Sequence, residues 1–232
     1  MVLIVSFLFS TPMQDNELSW EISVGDETPY ILERKFVSDT FAEYVEEFAG
    51  FLNEVEEGDT ILARCTYLEP IPSPVNLTEG VPQANFTLLR ESDSYVLVEN
   101  MQLLAVPVGL WDHESEGLNS SFPGDFELVN TTEQWGSIIS GDFWIGVINI
   151  NLHFETIYYK SNGALLRMKI NVKMLGFTSV DILLTHMDAF NNPSIQTTTE
   201  GGPMVGSLLI IGITMVSIAV IAFIGYRKTK SS

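Results

Sequence analysis

Three short clusters hold the residue types best suited to chemistry. Asp112-His113-Glu114-Ser115-Glu116-Gly117 sets carboxylates at alternate positions ahead of a glycine. That is the front of a calcium loop, where a hard cation gathers several carboxylate oxygens around a tight turn. Asp112, Glu114 and Glu116 are therefore the candidate metal ligands, and calcium is the one cofactor that the sequence brings into question. The rear half breaks the pattern, because position twelve, which needs a bidentate glutamate, is Pro123. An acidic surface loop is the simpler account. His153 and Glu155 stand two apart, which puts them on one face of a strand, where a carboxylate can orient an imidazole for acid–base work. No nucleophile or metal partner is evident beside them, so strand residues satisfied by hydrogen bonds are the simpler account here too. Arg167, Lys169 and Lys173 gather three cations within seven residues. They form a candidate ligand stripe for an anionic lipid head or polymer, with internal charge pairing as the plainer alternative.

Gly-x-Ser-x-Gly, a phosphate loop, His-Glu-x-x-His and paired cysteines are all missing, so no catalytic residue is assigned and a non-enzymatic protein is expected. A hydrolase would need His113, His153 or His186 to meet an acid or hydroxyl in a cleft. Cys65 is the single cysteine, alternating with Ile61, Ala63 and Tyr67 in a strand pattern, and reads as a buried structural thiol. Asn76, Asn85, Asn119 and Asn130 each open an Asn-x-Ser/Thr sequon in turn-like polar stretches and are the candidate glycosylation sites.

The frame for these residues is set by the chain ends. Met204 to Tyr226 is a run of 23 residues without a charged side chain, followed by Arg227, Lys228 and Lys230. As a helix it would reach about 34 Å, enough for a hydrocarbon core of about 30 Å. The basic flank puts residues 227–232 in the cytoplasm and the N-terminal bulk outside, a single-pass protein of the cell membrane whose lipid partner is met through residues 204–226. Residues 1–13 read as a signal-peptide remnant, although a basic n-region is missing. Residues 14–187 form the extracytoplasmic domain and 188–203 a polar, Thr-rich stalk. Outside the tail, eight basic residues face thirty acidic ones, a net charge of about −22. That field repels phosphate backbones and disfavours nucleic acid. With no internal disulfide to form, a hydrophobic core must hold the domain together.

Within the domain, apolar residues at three- and four-residue intervals predict a helix over Thr40 to Glu56, capped by Thr40 and Glu43 and stopped at Gly58. Strands are expected around the Gly25-Asp26 break within Trp20–Val37, at Thr60–Leu68 and Ser94–Leu104, and then at Phe143–Asn151, Leu152–Tyr159, Ala164–Met174 and Phe177–Met187. Asn162-Gly163 signals a two-residue type I′ hairpin. That turn would pair Tyr159 with Leu166, Ile157 with Met168, Glu155 with Ile170 and His153 with Val172. It would set Arg167, Lys169 and Lys173 against Leu152, Phe154, Thr156 and Tyr158.

The run Phe154 to Leu166, preceded by Gln134-Trp135-Gly136 and by Trp20 to Glu27, resembles uncharacterised archaeal surface proteins of the choice-of-anchor type, which end in a stalk and a basic-tailed membrane anchor. The resemblance covers about half the chain and rests on a Trp-Gly turn and a Tyr-x-x-x-x-Gly hairpin. It implies a topology and carries over no functional residue. The expected fold is α+β, an antiparallel sheet packed by one main helix. A more distant analogy, to lipoprotein carriers of the outer envelope, implies a curved, half-barrel-like sheet around an apolar cavity. The expected function is surface display of an acidic binding or structural domain for an extracellular partner. Lipid or other apolar-ligand binding between sheet and helix is the alternative, and a surface hydrolase comes third.

Overall fold

The computed structural model describes residues 18–39, 41–42, 50–73, 81–110, 125–145 and 147–191. They build nine strands: β1 (Glu27–Val37), β2 (Thr60–Leu68), β3 (Ala84–Arg90), β4 (Val96–Met101), β5 (Asp125–Asn130), β6 (Gln134–Ile145), β7 (Ile148–Tyr159), β8 (Leu165–Met174) and β9 (Phe177–His186). A short helix, α1 (Met187–Asn191), follows them. One sheet holds all nine strands in the order β4-β3-β2-β1-β9-β8-β7-β6-β5. Two meanders, β1 to β4 and β5 to β9, are joined where β1 and β9 pair antiparallel. The edges β4 and β5 stay apart, so the sheet is open and is not a barrel.

The antiparallel sheet expected is thus present, and the described residues are β-rich, with one short α-helix. Of the helix expected over Thr40–Glu56, Phe41 and Ala42 are helical, Thr40 and residues 43–49 lie outside the described residues, and Gly50–Glu54 forms a 3-10 helix that ends before Glu56. Two cations bind its end. Arg90 Nη1 donates to the Glu54 carbonyl, and Lys35 Nζ donates to the Val55 carbonyl at 2.7 Å. These carbonyls have no N–H donor within the turn itself, and the two side chains from neighbouring strands satisfy them. Leu52 and Val55 still reach the core, one 3-10 turn apart.

Alternation decides which face of the sheet is covered. In β8, Met168, Ile170 and Val172 point into the core while Arg167, Lys169, Asn171 and Lys173 point out. Phe154, Trp135, Leu184, Tyr30, Ile61, Phe86 and Leu88 continue the same buried layer across both meanders, and Leu18, Leu104 and Leu110 close over it from connecting segments. Each fully buried aliphatic or aromatic side chain of this kind contributes about 1.5–3 kcal/mol.

Several sequence expectations need correction. One strand, β1, follows the Gly25 turn, where two were expected. β6 and β7 reverse between Ile145 and Ile148, not between Asn151 and Leu152, and Trp135-Gly136 lies inside β6 rather than in a turn. The strands β3 and β5 fall where no strand was expected, and β6 begins at Gln134, nine residues before Phe143. Asp188–Asn191, assigned to the stalk, is helical, while 192–203 and the run 204–226 lie outside the described residues, as do 1–13.

The hairpin β7–β8 departs from its expected register by one residue. Tyr159 N–H donates to Ala164 O and Gly163 N–H to Tyr159 O, both at 2.9 Å, so the loop spans Lys160–Gly163. A bulge then takes the pairing from Tyr158↔Leu165 to Ile157↔Arg167. The cause is a third segment: Leu165 N–H donates to Leu104 O at 2.8 Å and Val106 N–H to Gly163 O at 2.9 Å. Strand β8 therefore starts against residues 104–106, and the slip reverses which side chains share a face.

Candidate functional site

That corrected register assembles a polar cluster on the outward face. Cross-strand pairing places Ser140 of β6 opposite His153 of β7, and Glu155 opposite Lys169 of β8, with Arg167 two residues along. Ser140 Oγ lies 2.9 Å from His153 Nδ1. On the other side of the ring, His153 Nε2 is 3.8 Å from Glu155 Oε2, and this nitrogen is buried without a hydrogen-bond partner. Arg167 donates from Nε to Glu155 Oε1 at 2.6 Å and contacts the same oxygen through Nη2. Burial pushes the Glu155 carboxyl up, but the neighbouring His153 ring and the Arg167 guanidinium, which donates to it, outweigh burial and hold the group below the usual carboxylate range.

A Ser-His-Glu line is the arrangement of a nucleophilic hydrolase. Two features work against that chemistry. Glu155 is committed to Arg167, and the strands that carry the cluster, β6, β7 and β8, are each paired on both sides. Ladder bonding leaves few backbone N–H groups to receive an oxyanion. Ser140 was missed from the sequence because its meeting with His153 depends on where β6 turns into β7.

The basic stripe divides. Arg167 serves Glu155, Lys169 stands opposite it, and Lys173 is exposed near the end of β8. Next to it, Arg34 of β1 pairs with Asp181 of β9 at 2.8 Å. Internal pairing therefore accounts for much of the outward face.

His186, at the end of β9, is set edge-on between Tyr30 and Tyr159, with ring centroids 5.6 and 5.3 Å away. Its Nδ1 accepts the Asp188 backbone N–H at 3.1 Å and so caps the start of α1. Desolvation pulls its pKa down despite the nearby Asp188. Burial likewise raises the phenols of Tyr30 and Tyr158, and takes Tyr159 up to about 12. This end of the sheet is a packed aromatic group with neutral members. His113 lies outside the described residues.

Cys65 is buried in β2 and burial raises its thiol, which suits a structural residue. Among the described residues no three His, Cys, Asp or Glu side chains converge to hold a metal. The candidate ligands Asp112, Glu114 and Glu116 lie outside them, together with the sequons at Asn76 and Asn119. Asn85 lies within β3, where its Oδ1 accepts from Gln102 Nε2 at 3.4 Å, and Asn130 ends β5 with its Oδ1 accepting from Lys160 Nζ. Both are strand positions, contrary to the turn-like setting expected.

Compared with models of protein families, with curated proteins and with solved structures, the chain matches none.

Proposed function

We propose that this chain is a single-pass protein of the cell surface that displays its nine-stranded acidic domain outside the membrane as a non-enzymatic binding or structural module, in the manner of the anchored archaeal surface proteins that it resembles. The observation that carries this reading is the 23-residue uncharged run Met204–Tyr226 with its basic flank Arg227, Lys228 and Lys230. No helix among the described residues is long and apolar enough to cross a membrane. The remaining acidity suits an exterior domain and disfavours a nucleic-acid partner.

Protease applied to intact cells tests it. The domain should be shaved while a tag after Ser232 stays protected, and the chain should resist alkaline extraction from membranes. A protected domain, or release at high pH, would defeat the proposal.

A hydrolase is the second reading, favoured by the 2.9 Å contact between Ser140 and His153. Turnover of ester or amide substrates that disappears in Ser140→Ala and persists in Lys173→Ala would establish it in place of the first.

A further inference from the structure

The end of the sheet remote from His186 carries an apolar fringe that no other described residue covers. Strands β6 and β7 turn there between Trp144 and Val147, and β8 and β9 turn through Leu175 and Gly176. Trp144, Val147, Leu175 and Phe177 keep 69%, 88%, 61% and 78% of their surface exposed. These are two neighbouring tips of one edge, because Leu175 N–H donates to Asn149 O at 3.0 Å. Along β8, about 33 Å separates them from the Asn162-Gly163 end.

Both tips are free of charge. Residues 143–150 and 174–180 contain no charged side chain, in a protein with 41 charged residues among 232. One position is also strained. Leu175 has φ 51°, and Gly176 follows at φ 84°. Both belong to the left-handed region that a two-residue hairpin turn demands, where asparagine rather than leucine is at ease. An exposed leucine is thus kept where both backbone and solvent oppose it, a combination found at functional sites.

We propose that these two hairpin tips form a docking site for the surface of a lipid bilayer, into which Trp144, Val147, Leu175 and Phe177 insert. The geometry and chemistry favour a bilayer over a protein. The four exposed side chains offer on the order of 500 Å², below the roughly 800 Å² per partner of a stable protein interface. Tryptophan is at home at the lipid–water boundary, and exposed Lys173, just before the β8 tip, can extend its ammonium to a phosphate. The chain's net charge of −19 opposes strongly anionic surfaces, so the fitting partner is a zwitterionic bilayer. This names a partner for the displayed module without depending on residues 204–226.

The test reconstitutes the full chain into nanodiscs and floats it with separate protein-free phosphatidylcholine liposomes, some carrying brominated acyl chains. Wild type should float with the liposomes, and brominated lipid should quench part of its tryptophan fluorescence. Trp144→Ser combined with Phe177→Ser should reduce flotation at least tenfold and abolish that quenching, while the melting temperature stays at the wild-type value. Absence of wild-type flotation overturns the proposal, as does equal flotation of the double variant. Self-association without liposomes that the double variant abolishes would assign the tips to a second copy and overturn it equally. A chain that does not enter nanodiscs defeats the anchor alone, and the free chain then meets the liposomes directly.

Discussion

Strand β8 begins and ends at an X-Gly turn, and its two ends are built in opposite ways. At Asn162-Gly163 the loop is locked under residues 103–106. Val106 N–H donates to Gly163 O, Leu165 N–H to Leu104 O, and Tyr158 Oη to Leu103 O at 3.2 Å. At Leu175-Gly176 the turn is tied to its neighbouring hairpin by the single backbone hydrogen bond from Leu175 N–H to Asn149 O that the described residues supply. A Cβ on Gly163 would stand 1.9 Å from Val106 O, whereas one on Gly176 meets nothing within 4 Å. One glycine serves close packing as well as backbone conformation; the other serves conformation alone. The same turn signal thus marks a structural end and an unpartnered end of one sheet.

Alanine at each glycine should separate the two roles. Gly163→Ala combines a left-handed φ with overlap against a backbone carbonyl and should destabilise the domain by about 2–4 kcal/mol. Gly176→Ala meets only the conformational penalty, about 1 kcal/mol. Denaturant unfolding of the full chain in detergent, followed by tryptophan fluorescence, measures both. Equal losses would show that residues 103–106 do not lock the loop.

Between the two ends lies the Glu155–Arg167 pair, and pH should expose it. Because Glu155 is held below its unfolded value of about 4.3, its contribution is complete above that pH and is lost as pH falls through the lower folded value. His186 adds an earlier loss. Its folded pKa is depressed, so below about 6.5 the unfolded chain takes the proton first and stability declines. Glu155→Gln should cost about 1–2 kcal/mol at neutral pH, discounted for the partial exposure of Arg167. It should also flatten the slope below pH 4 while leaving the decline near pH 6 intact. Denaturation midpoints taken between pH 3 and 8 give both slopes, and an unchanged acid limb would remove Glu155 from the account.

The sequence was most legible where local pattern and tertiary environment agree. The bounds of β2 were read without error, because its alternating Ile61, Ala63 and Cys65 face one core and Gly58 and Pro70 bracket it. β8 and β9 were placed to within a residue at each end for the same reason. Reading failed where distant chain decides. Nothing local to Asn162-Gly163 reveals that residues 104–106 will pair with Gly163 and Leu165, yet that contact sets the register and hence which strand faces meet. The Ser140–His153 contact was hidden with it, since the β6–β7 turn has no Asn, Asp or Pro to announce it and its apolar residues read as strand interior. Of the expected helix only the ends are described: Phe41 and Ala42 are helical, and Gly50–Glu54 tightens into a 3-10 turn, after which Arg90 and Lys35, from β3 and β1, bind the Glu54 and Val55 carbonyls.

The smallest expected effect gives the sharpest contrast between the two ends. Leu175→Asn places at φ 51° a residue that tolerates the left-handed region, and leucine there is exposed, so little packing is lost. Stability should rise by roughly 0.5–1 kcal/mol. If the bare end is kept apolar for contact with a bilayer, the same substitution should weaken liposome flotation while raising the denaturation midpoint. Opposite movement of the two readouts is the signature of a position that holds strain for binding. A fall in the midpoint would instead mean that Leu175 is packed to stabilise the turn, and the contrast between the ends of β8 would narrow to the space around their glycines.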